Sequence, residues 1–362
     1  MWLGFKTELK LNNHQKTQLA KHCGVARHAW NWGLGLTKQI LDQNRENPEE
    51  KIKFPTAVDL HKWLVAMVKP EYPWYYEVSK CAPQYALRQL SEAWKQAFKK
   101  TQKPPRFKKK GRADSFTVDG ALKVDHFWVK VPVIGWLKTY ERLPVDQKPK
   151  SFTISHTADR WFVSWKIEVE PSNEYKTVAV VGVDLGIKML ATLSTGEVFK
   201  GANSSRKYEK KLSRLQWLNR HKIRGSSNCK KAQIRIARLH RKITNIRKDT
   251  LHKLTSYLAK NHSKIGIEDL NVSGMMANHK LAKAIADMGF YEFRRQLEYK
   301  CELYGSELVV VDRWFPSSKT CSNCDTKKET LSLSERVFKC DCCGLEIDRD
   351  LNASINLEKA VS

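Results

Sequence analysis

The stretch VAVVGVDLGIKMLATLSTGE, residues 178–197, decides the fold. Val178 to Val183 is a continuous apolar run, as a strand buried on both faces requires. Asp184 ends that run, and the turn Ser194-Thr195-Gly196 joins two short strands, Met189 to Leu193 and Glu197 to Lys200, into a meander. A long helical stretch then leads to a fourth strand, Lys264-Ile-Gly-Ile-Glu268. A second helix is expected from about Lys280 to Leu303, a fifth strand at Leu308-Val-Val-Val-Asp312, and a last helix from near Asp350.

Three meandering strands, helix, strand, helix, strand, helix is the order of the RNase H-like fold. Strands one and four lie side by side in that fold, so acids at their ends meet. Asp184 closes strand one, Glu268 closes strand four, and Asp350 opens the last helix beside the same edge. Phosphodiester hydrolysis with two divalent ions ~3.5–4 Å apart needs converging carboxylates, because each cation must be neutralised and fixed. An acid inside an apolar strand is costly without such a partner. Alternation turns Asp269 to the opposite face, Asp348 competes with Asp350 but suits an N-cap, and Asp312 can project from a strand end.

Cys321-x-x-Cys324 and Cys340-x-x-Cys343 are separated by fifteen residues, the spacing of a zinc ribbon. Two residues between thiols let one tight turn aim both sulfurs at one ion, and four thiolates close a tetrahedral structural site. Gly344 suits the left-handed turn after the second knuckle, whereas Asp325 stands at the matching place in the first. Cys342 lies within range, but the x-x spacing selects Cys343. Cys23, Cys81, Cys229 and Cys301 have no such pairing and are expected in cores.

The chain of 362 residues carries 65 Lys and Arg against 38 Asp and Glu, a net charge of +27, which favours polyphosphate partners. With 41% hydrophobic residues it can bury sizeable cores. No apolar run approaches the ~18 residues of a membrane span, and the start lacks a signal-peptide profile. An intracellular, cytoplasmic protein associated with the nucleoid is expected, with no membrane partner. Met1 to Lys10 alternates like a strand, and helical spacing follows from about His14 to Lys100. The basic, acid-free run KKTQKPPRFKKKGR, 99–112, precedes short alternating segments that suggest a small β-barrel, which Met1 to Lys10 joins. The helices then form an insertion in the barrel, and Pro171-Ser-Asn-Glu174 reads as a linker.

These segments resemble the TnpB (OrfB) family of insertion-sequence proteins, RNA-guided DNA endonucleases related to type V CRISPR effectors. VGVDLGIKMLATLSTGE, 181–197, looks like the family's first RuvC motif, and IGIEDLNVSGM, 265–275, like the second. FPSSKTCSNC, 315–324, and CDCCGLEIDRDLNASINL, 340–357, resemble the zinc ribbon and third motif together. The family's ligand in that motif is the Asp of Asp-x-Asn-Ala, here Asp350. ARHAWNWGL, 26–34, and PPRFKKKGRADSF, 104–116, extend a weaker similarity into the first half. Asp325 for Gly and Ser354 for Ala depart from the pattern without touching the catalytic positions.

The resemblance implies an α/β and β multidomain protein. A wedge-like β-barrel (1–11 and 101–172) is interrupted by a helical recognition domain (12–100), and a RuvC-like nuclease domain (177–314 and 346–362) carries the zinc ribbon (315–345). It implies Mg²⁺ or Mn²⁺ at Asp184, Glu268 and Asp350, one structural Zn²⁺, a guide RNA, and a double-stranded DNA target with a flanking motif. Between Arg206 and Lys260 eighteen Lys and Arg face two acids, so a guide–target heteroduplex is the expected partner of Arg235, Arg238, Arg241, Lys242, Arg247 and Lys248. Lys108, Lys109 and Lys110 are read as phosphate contacts, and Trp30 and Trp32 as base-stacking or core residues. A monomer is favoured. The alternatives are a compact type V CRISPR effector, a guided DNA-binding regulator that does not cut, and a protein-only nuclease or recombinase.

Overall fold

Alternating burial along Trp2–Lys10 makes the first strand, β1, and Asn12 stops it by capping the helix that follows. The Asn12 side chain accepts from the Gln15 backbone N–H at 2.8 Å, and the Gln15 side chain accepts from the Asn12 N–H at 3.1 Å. In the computed structural model, residues 1–362 are described except for 121, 148, 173–175 and 333–334. Asn173 and Glu174 of the expected linker therefore lie outside the described residues. The chain forms two compact units, one of residues 2–168 and one of residues 169–362 together with Met1.

In the first unit, α1 (Asn13–Glu46), α2 (Ala57–Trp63), a π-helical turn (Leu64–Val68), α3 (Lys69–Glu71), a 3₁₀ turn (Pro73–Glu77) and α4 (Cys81–Phe98) follow β1. Six strands come next: β2 (Ser115–Asp119), β3 (Lys123–Asp125), β4 (Trp128–Val131), β5 (Gly135–Thr139), β6 (Ser151–Thr157) and β7 (Arg160–Glu168). They pair with β1 in one antiparallel sheet of order β2-β6-β7-β1-β5-β4-β3. The helices are thus an excursion between the sheet's first strand and its other six. Helices and sheet share one core, in which Leu19, Leu34, Leu87 and Leu90 cluster with Val118, Ile154 and Val163.

The second unit holds β8 (Val178–Asp184), β9 (Ala191–Leu193), β10 (Val198–Phe199), α5 (Ser204–Arg220), α6 (Ser227–Asn261) and β11 (His262–Glu268). After them come α7 (Val272–Ala277), α8 (Ala282–Met288), α9 (Phe290–Tyr304), β12 (Glu307–Val311), β13 (Val337–Lys339), β14 (Glu346–Asp348) and α10 (Arg349–Lys359). The expected long helical stretch is two helices, and the expected helix over 280–303 is two as well. Gly289, at φ +74°, ends α8 and starts α9. The meander strands are also shorter than the spacing predicts. The five-stranded sheet has the order β10-β9-β8-β11-β12, with β11 parallel to both β8 and β12.

Alternation assigns the two faces of this sheet. Val181, Val183, Ile265 and Ile267 cluster with Leu254 and Leu258 of α6 and Phe293 and Leu297 of α9. Gly182 and Gly266, paired in register between those residues, look the other way onto α10. A Cβ on Gly182 would stand 1.9 Å from the Ser354 carbonyl oxygen and 2.4 Å from the Glu358 nitrogen. A Cβ on Gly266 would stand 2.9 Å from the Leu357 carbonyl oxygen. Helix backbone therefore rests directly on sheet backbone, a contact only glycine permits.

Gly182→Ala should consequently destabilise the second unit by about 3 kcal/mol or more, since the obstructing atoms are main chain and cannot rotate away. Gly266→Ala should cost less, about 1–3 kcal/mol. Urea unfolding monitored by hydrogen exchange in α10 measures both, and wild-type stability in Gly182→Ala would contradict the described seat.

Candidate metal centres and basic surfaces

The glycine seat places the three acids. Asp184 and Glu268 each lie two residues beyond a seat glycine, so both share its α10-facing side, one step past the Val183–Ile267 pair. Ser354 lies over Gly182, and Asp350 is one helical turn earlier on α10, toward the strand ends. All three carboxylates are half-buried. Burial, then the charges of Asp350 and Glu268, push the Asp184 carboxyl up to about 7. Burial, followed by the charge of Asp269, raises Glu268. The carboxylates nonetheless do not close on one another: among the described residues, only the four ribbon cysteines have metal-binding atoms all within 4.8 Å.

The competing acids have other work. Asp348 caps α10, its Oδ1 accepting from the N–H groups of Asp350 at 2.9 Å and Leu351 at 3.1 Å. Asp269 pairs with Arg294 at 2.7 Å and with Arg313, whose hydrogen bond and that of Arg294 hold its carboxyl below the usual range. Asp312 accepts from the Trp314 N–H at 2.8 Å, closing a turn.

At the ribbon, the two knuckles repeat one backbone pattern. The N–H groups of Asp325 and Gly344 donate to the carbonyls of Cys321 and Cys340 at 3.0 and 3.1 Å, and both residues are left-handed, with φ +58° and +74°. The sulfurs of Cys321 and Cys343 are 3.6 Å apart, and those of Cys324 and Cys340 3.5 Å. Four sulfurs at ~2.3 Å from one tetrahedral ion stand about 3.8 Å apart, so the set fits zinc. Beside Cys324, Thr326 pulls the thiol down to about 6, toward the thiolate a metal needs. Cys342 is exposed and outside the group of four, while Cys23, Cys81, Cys229 and Cys301 are buried, as expected of core residues.

Sequence reasoning missed what joins the ribbon to the acids. Asn352 and Asn356, buried on one face of α10, hold the first knuckle. Asn352 accepts from Ser322 N–H at 2.9 Å and donates to the Thr320 carbonyl at 2.7 Å; Asn356 donates to the Ser317 and Thr320 carbonyls at 2.8 and 2.6 Å. The signal was present in Asp-Leu-Asn-Ala-Ser-Ile-Asn, two amides one turn apart. The isolated glycines of Val-Gly-Val and Ile-Gly-Ile were also legible as points of close backbone approach.

The basic surfaces are mixed. Arg235, Arg238, Lys242 and Lys248 are exposed on α6, while Arg241 and Arg247 are half-buried. Arg247 donates to the Ala286 carbonyl at 2.8 Å, and the Lys242 ammonium lies 5.1 Å from the Tyr208 ring centroid. Of the apolar spacing Ile236, Leu239, Ile243, Ile246, Leu254 and Leu258 along α6, four residues are buried, while Ile236 and Ile246 are half-buried. In the first unit Lys109 and Lys110 are exposed, but Lys108 is half-buried with its ammonium 3.9 Å from the Trp30 centroid. Burial lowers the Lys108 pKa. Trp30 is 8% exposed and donates to the Arg106 carbonyl at 3.0 Å. With its ring covered, Trp30 offers no face to a base, which corrects the stacking expectation. Trp32 is half-buried against the same core.

Comparison with known proteins defines the class. A family described as "Probable transposase" (OrfB_IS605) matches residues 164–279, and a Cas12f1-like TNB domain matches 290–357. A helix-turn-helix domain matches 1–46, which here form β1 and one unbroken helix. A protein named an RNA-guided DNA endonuclease from Streptomyces pristinaespiralis is 37% identical, across 98% of this chain and 88% of its own length. InsQ of Escherichia coli (strain K12), named likewise, is 33% identical across 98% and 90%. The chain belongs to the OrfB (TnpB) family of insertion-sequence proteins. Among the described residues no helix is long and apolar enough to cross a membrane.

Two outcomes follow for the ribbon. Cys324→Ser with Cys340→Ser should abolish stoichiometric zinc by elemental analysis and speed hydrogen exchange across the ribbon, whereas Cys342→Ser should leave both unchanged. Asp325→Gly should stabilise the ribbon against chelator by up to about 1 kcal/mol, because its left-handed φ costs glycine nothing. Full zinc in the double serine variant would remove the four-cysteine assignment.

Proposed function

We propose that the protein is an RNA-guided DNA endonuclease of a transposable element, hydrolysing DNA phosphodiesters at a divalent-metal site formed by Asp184, Glu268 and Asp350. The observation that carries this reading is the placement of Asp184 and Glu268 in register on the α10-facing side of β8 and β11, with Asp350 in the first turn of α10. The acids fit such cations chemically. Burial, then the charges of Asp350 and Glu268, raise Asp184 to about 7, a cost that Mg²⁺ or Mn²⁺ binding would relieve. When bound, divalent cations supply Lewis-acid charge to the scissile phosphate. The chain's own contribution is placement. Asp184 and Glu268 each follow the paired Val183 and Ile267 on neighbouring strands, and Asp348 caps the turn that carries Asp350.

The sheet order supports an RNase H-like, RuvC-type nuclease domain over 177–314 and 346–362, with the zinc ribbon over 315–345. Residues 1–11 and 101–172 are assigned to a wedge-like barrel and 12–100 to a recognition domain. Relatives named RNA-guided DNA endonucleases, matched over nearly their whole length, support a guide RNA and a DNA target as partners. The exposed cations of α6, with Lys109 and Lys110, would contact phosphates, leaving sequence to base pairing. A cytoplasmic monomer at the nucleoid is the favoured form.

Plasmid cleavage directed by the RNA that copurifies with the protein tests this reading. Asp184→Ala, Glu268→Ala and Asp350→Ala should each lower cleavage by orders of magnitude while target binding survives. Asp348→Ala should cost about 1 kcal/mol of stability and leave cleavage largely intact. Three single variants that cut like the parent would refute the nuclease site. Separately, Arg235→Glu with Arg238→Glu should weaken heteroduplex binding and flatten its salt dependence, and an unchanged slope would make that surface merely solvated.

A further inference from the structure

The sheet of the first unit has an outer face whose composition no role above absorbs. Along β4 and β5, Val129, Val131, Leu137 and Thr139 point inward and are buried. Their alternates, Trp128, Lys130, Trp136 and Lys138, all point outward and are exposed. Register turns that alternation into a checkerboard. Trp128 pairs with Lys138 and Lys130 with Trp136, so the two tryptophans sit on a diagonal, each with a lysine directly across. Lys10 of β1 extends one row beside Lys138, and Lys123 of β3 extends the other beside Lys130. Asp125, opposite Trp128, is the one acid in these rows.

We propose that this face of β3, β4 and β5 is a stacking platform for an unpaired stretch of the RNA that the protein carries. The choice of RNA rests on the guided-nuclease reading, but the platform itself rests on the residues. Trp128 and Trp136 are 39% and 42% exposed, and Tyr140 nearby is 59% exposed. Rings this open on a sheet face, each flanked by a lysine, leave a π-face free for a base. Lysines spaced between them suit a backbone that tracks past stacked bases, and the Lys138 ammonium lies 5.5 Å from the Trp128 centroid without burying the ring. A duplex keeps its base faces stacked inside and would leave both indoles unused. A second copy meeting the same face would set four lysines against four. A resident RNA covers the rings from assembly onward, whereas a displaced DNA strand, present only during targeting, leaves them open to water. Stacking on the indole faces is sequence-tolerant, because every base offers a π-face.

The test uses the full chain. Anisotropy with a fluorescein-labelled 12-nucleotide oligouridylate should show Trp128→Ala with Trp136→Ala weakening binding about tenfold or more per lost ring. Binding of a 12-base-pair RNA duplex should stay within twofold. Trp128→Phe with Trp136→Phe, which keeps the stacking faces, should restore most single-strand affinity. In protein purified from cells grown with 4-thiouridine, photo-crosslinks should map to the peptide spanning β4 and β5. Equal oligouridylate affinity in the alanine variant overturns the platform, as do crosslinks confined to other peptides. Capture of a thiothymidine-labelled displaced strand, or of a second copy, at that face overturns it too. Loss of the platform with guided cleavage intact leaves the nuclease reading standing; a chain that carries no RNA sinks that reading, and oligouridylate still decides the platform.

Discussion

Helix α10 lies against the sheet with no side chain between the two backbones, and the second unit is organised around that contact. Gly182 and Gly266 are neighbours in the parallel pairing of β8 and β11, and the helix main chain, joined at Gly266 by the Val361 side chain, occupies the space their side chains would fill. Close approach fixes both distance and direction. A helix held a few ångströms farther out would carry Asp350 away from Asp184 and Glu268, whatever the metal.

The same helix ties the unit's two candidate metal centres together. Its cap, Asp348, is also the last residue of β14, which pairs with β13 of the ribbon, and its buried amides grip the backbone around Cys321. Each amide satisfies backbone groups that would otherwise be stranded, at ~1–3 kcal/mol apiece. The four-cysteine cluster and the acids are thus linked through one helix. Asn352 joins the first knuckle to the first turn of α10, where Asp350 stands, so an ion held by the four cysteines would support a site it does not enter.

The parts legible in the sequence were those whose physics is local. Apolar runs ending in Asp184 and Glu268 fixed strand positions, Cys-x-x-Cys spacing fixed the knuckles, and Asp348 was identifiable as a cap because its neighbour sequence opens a helix. Less visible were features set by partners distant in the chain. The break at Gly289 separates two helices whose apolar spacing runs straight through it. Trp30 sits in an aromatic- and glycine-rich segment that suits either a groove or a core, and only Lys108 folding over its ring decides between them. Alternation alone marks Trp128 and Trp136 only as strand residues, because their pairing with Lys138 and Lys130 exists only in the register.

The proposed nuclease site requires Asp184, Glu268 and Asp350 to share divalent cations. Anomalous diffraction from crystals grown with Mn²⁺ tests it without relying on turnover. A manganese peak in contact with all three carboxylates is expected, with the carboxylates drawn closer together, and loss of that peak in Asp350→Ala. Manganese bound elsewhere with none between these acids, or a peak unchanged by Asp350→Ala, would contradict it.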